Sequence, residues 1–218
     1  MTTTNPLNVT VFGASGHIGR QVVDQLLAAG HHVTAYVRNP TKLDVAHPDF
    51  TVVEGELNDP AAIARAVQGA DAVVSALGPT LKRTTTGTPV TDGTRNIVKA
   101  MEAAGVRRYI GLATPAVAAD RDRPTFKAKV LRTLPRFAFP NALVELNGMT
   151  DAVRSSTLDW TIARITSPND APAKNTTRSG FLGVDKVGSA MTRADIAVFL
   201  VGQLTDDRYR QAAPAISN

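Results

Sequence analysis

The stretch from Val9 to Arg20 constrains the fold of this chain more than any other part of the sequence. Val9-Thr10-Val11-Phe12 forms a short strand pattern, and Gly13, Gly16 and Gly19 follow it at Gly-x-x-Gly-x-x-Gly spacing. Between a strand and a helix, the first glycine of such a pattern allows a tight turn. The second lets backbone N–H groups approach a pyrophosphate, and the third lets the helix pack closely on the strand. The helix N-terminus adds unpaired N–H groups and the positive end of a dipole.

The residues after the glycines supply the context that this motif requires. Residues 21–30 have helical apolar spacing and end at a glycine, and residues 32–37 read as a second strand. Together they make a βαβ unit of about 30 residues. We therefore predict a dinucleotide site, with a phosphate-free turn as the alternative. Ser15 does not form a nucleophile elbow, because His17 occupies the last glycine position of Gly-x-Ser-x-Gly.

Composition narrows the possible functions. The 218 residues are 43% hydrophobic and 20% charged, which suits a single globular domain. The absence of cysteine excludes disulfides, thiolate metal sites and thiol catalysis, and the four histidines lack metal-pair spacing, so we predict no metal.

The net charge is +5, yet only residues 121–136 are densely basic, and 5% aromatic content offers no base-stacking platform. We expect a cytoplasmic protein with no nucleic-acid or membrane partner, and the basic charge suits an anionic cofactor and substrate.

Arg38 indicates which dinucleotide is bound. In an NAD-specific site an acidic residue near the end of the second strand receives the ribose 2′-hydroxyl. Arg38 stands there instead, with Lys42 four positions on. A guanidinium can pair with a 2′-phosphate and stack on the adenine. We therefore predict NADP(H), with a solvated loop arginine as the alternative.

The rest of the chain continues the alternation of strands and helices. Further strands are predicted at residues 50–55, 71–78, 107–113, 158–165 and 213–216, and further helices at residues 61–69, 90–105, 141–156 and 193–204. Short strands or a hairpin are predicted at residues 178–191. This pattern predicts an α/β fold, a doubly wound parallel sheet with helices on both faces, as one domain over residues 1–218. Residues 116–140 are expected to cover the substrate, and residues 166–218 to form a small C-terminal part.

Ligands collect at the carboxyl ends of parallel strands. Ala76-Leu77-Gly78 follows the fourth strand, Thr114 the fifth and Thr166-Ser167 the sixth, so these residues are expected to border the cofactor. Glu56-Leu57 follows the third strand, where an adenine would lie. A core position for Leu77 is an equal alternative.

Seven segments spread over nearly the whole chain carry a family resemblance. They are Val11-Phe12-Gly13-Ala14-Ser15-Gly16, Val37-Arg38-Asn39, Gly55-Glu56-Leu57, Ala76-Leu77-Gly78, Gly93-Thr94-Arg95-Asn96-Ile97-Val98, Leu158-Asp159-Trp160-Thr161 and Thr192-Arg193-Ala194-Asp195-Ile196-Ala197. With them the chain resembles the atypical short-chain dehydrogenase/reductase group with NAD(P)H-binding, NmrA-like Rossmann folds. The similarity is greatest to the biliverdin reductase B (flavin reductase) branch.

The resemblance implies a set of cofactor contacts. The residues it implies are Gly13, Ala14, Ser15, Gly16, His17 and Ile18 at the pyrophosphate, Arg38 at the 2′-phosphate, Glu56 and Leu57 at the adenine, Ala76, Leu77 and Gly78 at ribose and phosphate, and Ala113, Thr114, Arg164, Ile165, Thr166 and Ser167 at the nicotinamide. The chain departs from the family at two places. Arg164-Ile165 replaces a frequent Arg-Pro, and Ser167 replaces the histidine of biliverdin reductase B.

The tyrosines disfavour ordinary dehydrogenase chemistry. Short-chain dehydrogenases protonate an alkoxide with the tyrosine of Tyr-x-x-x-Lys. Here the residues four positions after Tyr36, Tyr109 and Tyr209 are Pro40, Ala113 and Ala213. The remaining chemistry is hydride transfer that needs little protein acid. Thr114 and Ser167 are candidate catalytic residues, with backbone capping as the alternative for both.

We therefore expect an NADPH-dependent oxidoreductase that transfers hydride to a small planar acceptor such as a flavin or quinone. The basic residues 121–136 would suit an anionic acceptor such as FMN. The alternative is a non-enzymatic NADP(H)-binding redox sensor or regulator of NmrA type. An epimerase or dehydratase is less favoured, and monomer and homodimer both remain open.

Overall fold

The computed structural model describes residues 5–80, 87–125 and 138–218. Within them the strands are β1 (Asn8–Phe12), β2 (His32–Val37), β3 (Phe50–Glu54), β4 (Ala72–Ser75), β5 (Arg108–Ala113), β6 (Asp159–Ile165), β7 (Pro168–Asn169), β8 (Arg178–Gly180), β9 (Met191–Thr192) and β10 (Ala215–Ser217). The helices are α1 (His17–Ala28), α2 (Pro60–Val67), α3 (Pro89–Ala104), α4 (Pro140–Arg154) and α5 (Arg193–Gly202), with a 3₁₀ turn at Pro40–Lys42.

The strands form an eight-stranded, mostly parallel sheet in the order β3-β2-β1-β4-β5-β6-β10-β8. The chain moves outward from β1 to β3, then returns to the other side of β1 to place β4, so the direction of winding reverses between β1 and β4. This order is the doubly wound, Rossmann-like arrangement, and it confirms the predicted fold class. A cleft is expected outside the carboxyl ends of β1 and β4, where the crossovers diverge.

The predicted hairpin within residues 178–191 is wrong, and the alternative of short strands is confirmed. β8 pairs antiparallel with β10 at the end of the chain, whereas β9 pairs in parallel with β7. The partners of both strands therefore lie outside the segment. Local turn residues cannot specify such long-range pairing.

Helices cover the sheet in two layers, which explains why its central strands are apolar along their length. α1 packs against α5 in one layer, while α3 packs against both α2 and α4 in the other. Val9, Val11 and Phe12 of β1 are buried in the main core with Leu26 of α1. Trp160 belongs to the same core and is 7% exposed.

The helix boundaries follow local capping chemistry. The Asp59 side chain accepts a hydrogen bond from the Ala62 N–H at 3.0 Å and caps α2. Thr192 caps α5 by accepting from the Asp195 N–H at 3.1 Å. Gly105 ends α3 in the left-handed region at φ 72°, where glycine carries no steric penalty. None of the helices in the described ranges combines the length and apolar character needed to cross a bilayer.

Candidate cofactor site

A cleft of about 790 Å³ opens where the sheet reverses its winding. The carboxyl ends of β1, β2, β3 and β4 and the first turn of α3 form its walls. The lining residues are Gly13, Ser15, Tyr36, Val37, Arg38, Gly55, Glu56, Leu57, Asn58, Leu77, Gly78, Thr80, Gly87, Thr88, Pro89, Val90, Asp92 and Gly93. Seven predicted cofactor residues are among them: Gly13, Ser15, Arg38, Glu56, Leu57, Leu77 and Gly78.

The glycine turn has the geometry of a phosphate cradle. Gly13 has φ +76°, and a Cβ there would lie 2.9 Å from the carbonyl carbon of Ala76. The Gly16 N–H closes the turn by donating to the Gly13 carbonyl at 3.0 Å. α1 then begins with no side-chain cap from Gly16 and no acidic residue in its first turn, so its N-terminus remains available to an anion. These residues fit the pyrophosphate of a dinucleotide.

Gly19 brings α1 onto the turn. A Cβ at this position would overlap the carbonyl oxygen of Gly13 and lie 2.7 Å from its carbonyl carbon. Backbone atoms cannot rotate away as a side chain can. The helix therefore lies this close to the strand only because residue 19 is a glycine.

We expect Gly19→Ala to displace the turn and to lower NADPH affinity by about 5–150-fold, because overpacking of this kind typically costs about 1–3 kcal/mol. The matched control is Gly202→Ala at the end of α5, where a Cβ would meet nothing within 4 Å. Titration of both variants with NADPH by fluorescence tests the expectation. Equal affinities for the two variants would contradict the role assigned to Gly19.

Arg38 stands at the rim of the cleft directly after β2. Its side chain is exposed and makes no ion pair with another described residue. The neighbouring Asn39 is occupied locally, since its side-chain oxygen accepts from the N–H of Thr41 at 3.0 Å and from the Thr41 hydroxyl at 2.7 Å. The guanidinium of Arg38 is therefore available to an anionic ligand in the cleft.

Two side chains fix the loop after β3, where adenine is expected. The Tyr36 hydroxyl donates to the Glu56 carbonyl at 2.7 Å, and the Asn96 amide of α3 donates to the Leu57 carbonyl at 3.0 Å. Burial raises the pKa of Tyr36 to about 12, with smaller contributions from the charges of Asp59 and Glu56. The hydroxyl therefore stays protonated and can donate this hydrogen bond. The carbonyl groups of Glu56 and Leu57 are thus held by hydrogen bonds from β2 on one side and from α3 on the other.

Part of the cleft lining was not predicted from the sequence. The unpredicted lining residues are Tyr36, Val37, Gly55, Asn58, Thr80, Gly87, Thr88, Pro89, Val90, Asp92 and Gly93. Tyr36, Gly55 and Asn58 are close neighbours of predicted residues and could have been found by extending each strand end. The start of α3 carries no such signal, because its place in the wall depends on packing against Leu57. A Cβ on Gly93 would lie 2.7 Å from the Leu57 Cβ.

Several predicted pyrophosphate residues lie outside the cleft lining. Ala14 is fully buried in the core. His17 borders a smaller depression of about 240 Å³ between α1 and α5. Asp170 and Arg193 border the same depression and form an ion pair at 2.6 Å. Gly16 and Ile18 belong to the turn and the first turn of α1, where their backbone groups are the relevant ones.

The two candidate catalytic residues also lie outside the lining of the cleft. The Thr114 hydroxyl accepts from the Ala116 N–H at 3.2 Å, and the Thr114 carbonyl accepts from the Val117 N–H at 3.0 Å. In both contacts Thr114 accepts from a backbone N–H of the turn that follows β5, which is the capping role given above as the alternative. Ser167 is exposed and has φ 44°, a left-handed conformation that is uncommon for serine and is found at turns and functional sites. Catalytic roles for both residues remain predictions.

The other residues predicted near the nicotinamide occupy the ends of β5 and β6, and Ala76, predicted at ribose and phosphate, follows β4. Ala113 is buried at the end of β5, while Ile165 and Thr166 are half-buried where β6 ends. Ala76 follows β4 and packs beside Gly13 without entering the cleft lining. Their contacts with a cofactor remain predictions as well.

The Arg164 side chain lies in the interior and does not line the cleft, so a contact of this residue with the nicotinamide would involve its backbone and remains a prediction. Arg164 is fully buried and binds both carboxylate oxygens of Asp122, at 2.6 and 2.7 Å. It also donates to the carbonyl of Ala213 at 2.7 Å. All of these partners lie in the protein interior, so the guanidinium is committed to a structural ion pair. Within the basic segment 121–136, residues 126–136 lie outside the described residues.

A family described as NAD(P)H-binding matches this chain over residues 13–207. Among curated relatives, the 3-beta-hydroxysteroid dehydrogenase of Mycolicibacterium neoaurum is 34% identical over 119 residues, which are 50% of this chain and 32% of that protein. The chain spans about a third of the length of the first curated relatives that it matches.

Two solved structures share the fold over nearly their full lengths. A short-chain dehydrogenase/reductase from Veillonella parvula in complex with NADP has a TM-score of 0.74 at 22% identity, covering 97% of this chain and 94% of that one. The anaerobillin reductase ChuY from Escherichia coli O157:H7 has a TM-score of 0.74 at 20% identity, covering 96% of both chains.

The family match covers the glycine turn, the cleft and all the helices of the described structure. The cleft itself has the glycine cradle and the open helix N-terminus that a dinucleotide requires. The resemblance to NAD(P)H-binding proteins with Rossmann folds seen in the sequence is thereby confirmed. The chain therefore belongs to the NAD(P)H-binding family, its fold is Rossmann-like, and NAD(P)H is its cofactor.

Proposed function

We propose that this protein is an NADPH-dependent reductase that passes hydride to a small planar acceptor such as a flavin, a quinone or a related molecule. The observation that carries the proposal is Arg38, an exposed guanidinium on the rim of the cleft at the position where an NAD-specific site has a carboxylate. It favours the 2′-phosphate of NADPH, the cofactor that cells use chiefly for reductions.

The residues of the chain would bind and orient the two reactants. The first turn of α1 would hold the pyrophosphate, and Arg38 the 2′-phosphate. The loop held by Tyr36 and Asn96 would contact the adenine. When bound, NADPH supplies a hydride, and water can supply the proton that balances the two-electron reduction. The contribution of the protein is then orientation and exclusion of competing reactions.

The tyrosines support an acceptor that needs no protein acid. Burial raises the pKa of Tyr109 to about 12, and its side chain is 2% exposed. The Tyr36 hydroxyl donates a hydrogen bond to the Glu56 carbonyl, and the Tyr209 hydroxyl donates one to Ser179 at 3.0 Å. All three tyrosines are buried, and the hydroxyls of Tyr36 and Tyr209 are engaged in hydrogen bonds within the protein, which disfavours carbonyl reduction by the tyrosine–lysine mechanism.

Mixing the protein with NADPH and a panel of FMN, riboflavin and small quinones, and following NADPH absorbance, tests the proposal. We expect saturable oxidation with one acceptor class. We also expect Thr114→Ala or Ser167→Ala to lower turnover if either hydroxyl orients the acceptor or relays a proton. Tight NADPH binding without oxidation of NADPH by any acceptor would reject the reductase proposal and favour a redox sensor. Unchanged turnover in both variants would remove both residues from catalysis.

A further inference from the structure

The first turns of α3 form the wall of the cleft that faces the loop after β3. Gly93 lets the helix approach until a Cβ on it would lie 2.7 Å from the Leu57 Cβ. One turn later, Asn96 donates to the Leu57 carbonyl at 3.0 Å. Any shift of the start of α3 therefore moves Leu57 and changes the shape of the cleft on its adenine side.

The N-terminus of α3 is capped from another helix. Thr88 stands at the cap position but makes no capping hydrogen bond, and its hydroxyl donates to Asp92 at 3.1 Å instead. The carboxylate of Glu145, in α4, accepts from the Val90 N–H at 3.0 Å and from the Thr91 N–H at 2.7 Å. These are the N–H groups of the second and third helical residues, the ones that a cap normally satisfies.

The contact between the two helices is buried and close. Glu145 is 4% exposed and Thr91 2% exposed, and the Thr91 hydroxyl donates to the Glu145 carbonyl at 3.0 Å. A Cβ on Gly148 would lie 2.6 Å from the Thr91 hydroxyl oxygen, so the helices cross here with little space between them. Loss of the carboxylate would leave two N–H groups unpaired inside this contact, where water reaches poorly.

The two helix N-termini that border the cleft therefore differ. The N-terminus of α1 has no side-chain cap and no acidic residue in its first turn, so it can receive a phosphate. The N-terminus of α3 is already occupied by a carboxylate, so it cannot serve as a second phosphate site. The role of α3 in binding is then to supply a fixed wall.

We propose that Glu145 is a positioning residue for cofactor binding. From outside the cleft it holds the first turn of α3 against Leu57, so that the adenosine part of the cofactor meets a wall that is already ordered. A preorganised wall improves affinity because less ordering remains to be done on binding. The inference deepens the proposed function and rests on its placement of the adenosine in this cleft, but it does not depend on which acceptor is reduced.

Binding measurements on Glu145→Ala and Glu145→Gln test the inference. The probes are NADPH and adenosine 2′,5′-bisphosphate, titrated by calorimetry. Because hydrogen bonds to charged groups are strong, we expect the alanine variant to weaken both at least about tenfold. Glutamine keeps the side-chain size and one acceptor oxygen, so a smaller loss is expected. In both variants the Val90 and Thr91 amides should exchange faster with solvent than in the wild type.

Glu102→Gln is the matched control, because the Glu102 carboxylate also accepts from a backbone N–H, that of Thr157 at 3.1 Å, at the other end of α3. We expect this variant to bind both probes like the wild type. Unchanged affinity in a folded Glu145 variant would overturn the inference. If the alanine variant does not fold, the near-isosteric glutamine variant decides, and wild-type affinity there overturns it. Failure of the wild type to bind either probe would reject the proposed adenosine site itself, which is a distinguishable result.

Discussion

Arg38→Asp is expected to reverse the cofactor preference of this protein. Loss of a charge-assisted contact with the 2′-phosphate, worth about 1.5–3 kcal/mol, should raise the Kd for NADPH by about 10–150-fold. The introduced carboxylate would repel the 2′-phosphate but could accept a hydrogen bond from the 2′-hydroxyl of NADH. Affinity for NADH should therefore stay constant or improve, and titrations with both nucleotides measure the ratio.

The control for this experiment is Lys99→Asp, on the exposed side of α3 and outside the cleft lining. It changes the net charge by the same amount, so it reports the long-range electrostatic effect alone. Salt screens that effect, and we expect the control to shift both affinities slightly and in parallel. An unchanged ratio of NADPH to NADH affinity in Arg38→Asp would reject the assignment of Arg38 to the 2′-phosphate.

Asp122→Ala is expected to be the most destabilising of the substitutions considered. It leaves the fully buried Arg164 guanidinium without its bidentate partner, and breaking a buried pair in this way costs about 3–5 kcal/mol. The free energy of unfolding from urea denaturation measures the loss. Replacing both residues, as in Asp122→Leu with Arg164→Met, should recover part of it, because no unpaired charge then remains in the interior.

Asp120→Ala provides the comparison, since Asp120 pairs with Arg154 close by but is itself 88% exposed. Exposed pairs contribute at most about 1 kcal/mol, so this loss should be small. Similar losses for Asp120→Ala and Asp122→Ala would contradict the structural role given to the buried pair.

The buried pair also predicts how stability depends on pH. Burial alone would raise the pKa of Asp122, but the hydrogen bonds and charge of Arg164, with the N–H groups of Leu182 and Ala119, hold it below its ordinary value. The stabilisation is therefore complete above the unfolded-state pKa of about 4, and it is lost as pH falls through the lower pKa of the folded state. The acid-induced decrease in wild-type stability should be smaller in Asp122→Ala, which unfolding curves between about pH 2 and 6 would show.

Asp195 is expected to supply part of the acid sensitivity that remains. Burial would raise its pKa as well, but hydrogen bonds from Thr192, from the backbone of Lys174 and Asn175 and from Asn218 lower it. As for Asp122, the pKa of Asp195 is lower in the folded than in the unfolded state, so its contribution to stability is also lost on acidification.

Local chemistry in the sequence determined much of this fold. The apolar strand, the glycine turn and the helix of residues 9–30 follow from side-chain period and from a positive φ at Gly13. The cap at Asp59 and the end of α3 at Gly105 are equally local. Each of these features is decided within a few residues, so reading the sequence recovers it.

Only the tertiary structure decided the features that depend on distant partners. The commitment of Arg164 to Asp122 requires contacts across 42 residues, and the cap that Glu145 gives to Thr91 spans 54. A charged residue in a strand next to a predicted site looks the same in the sequence whether it faces the ligand or the interior. Which way it faces is set by the burial and pairing of its partners, and these exist only once the chain has folded.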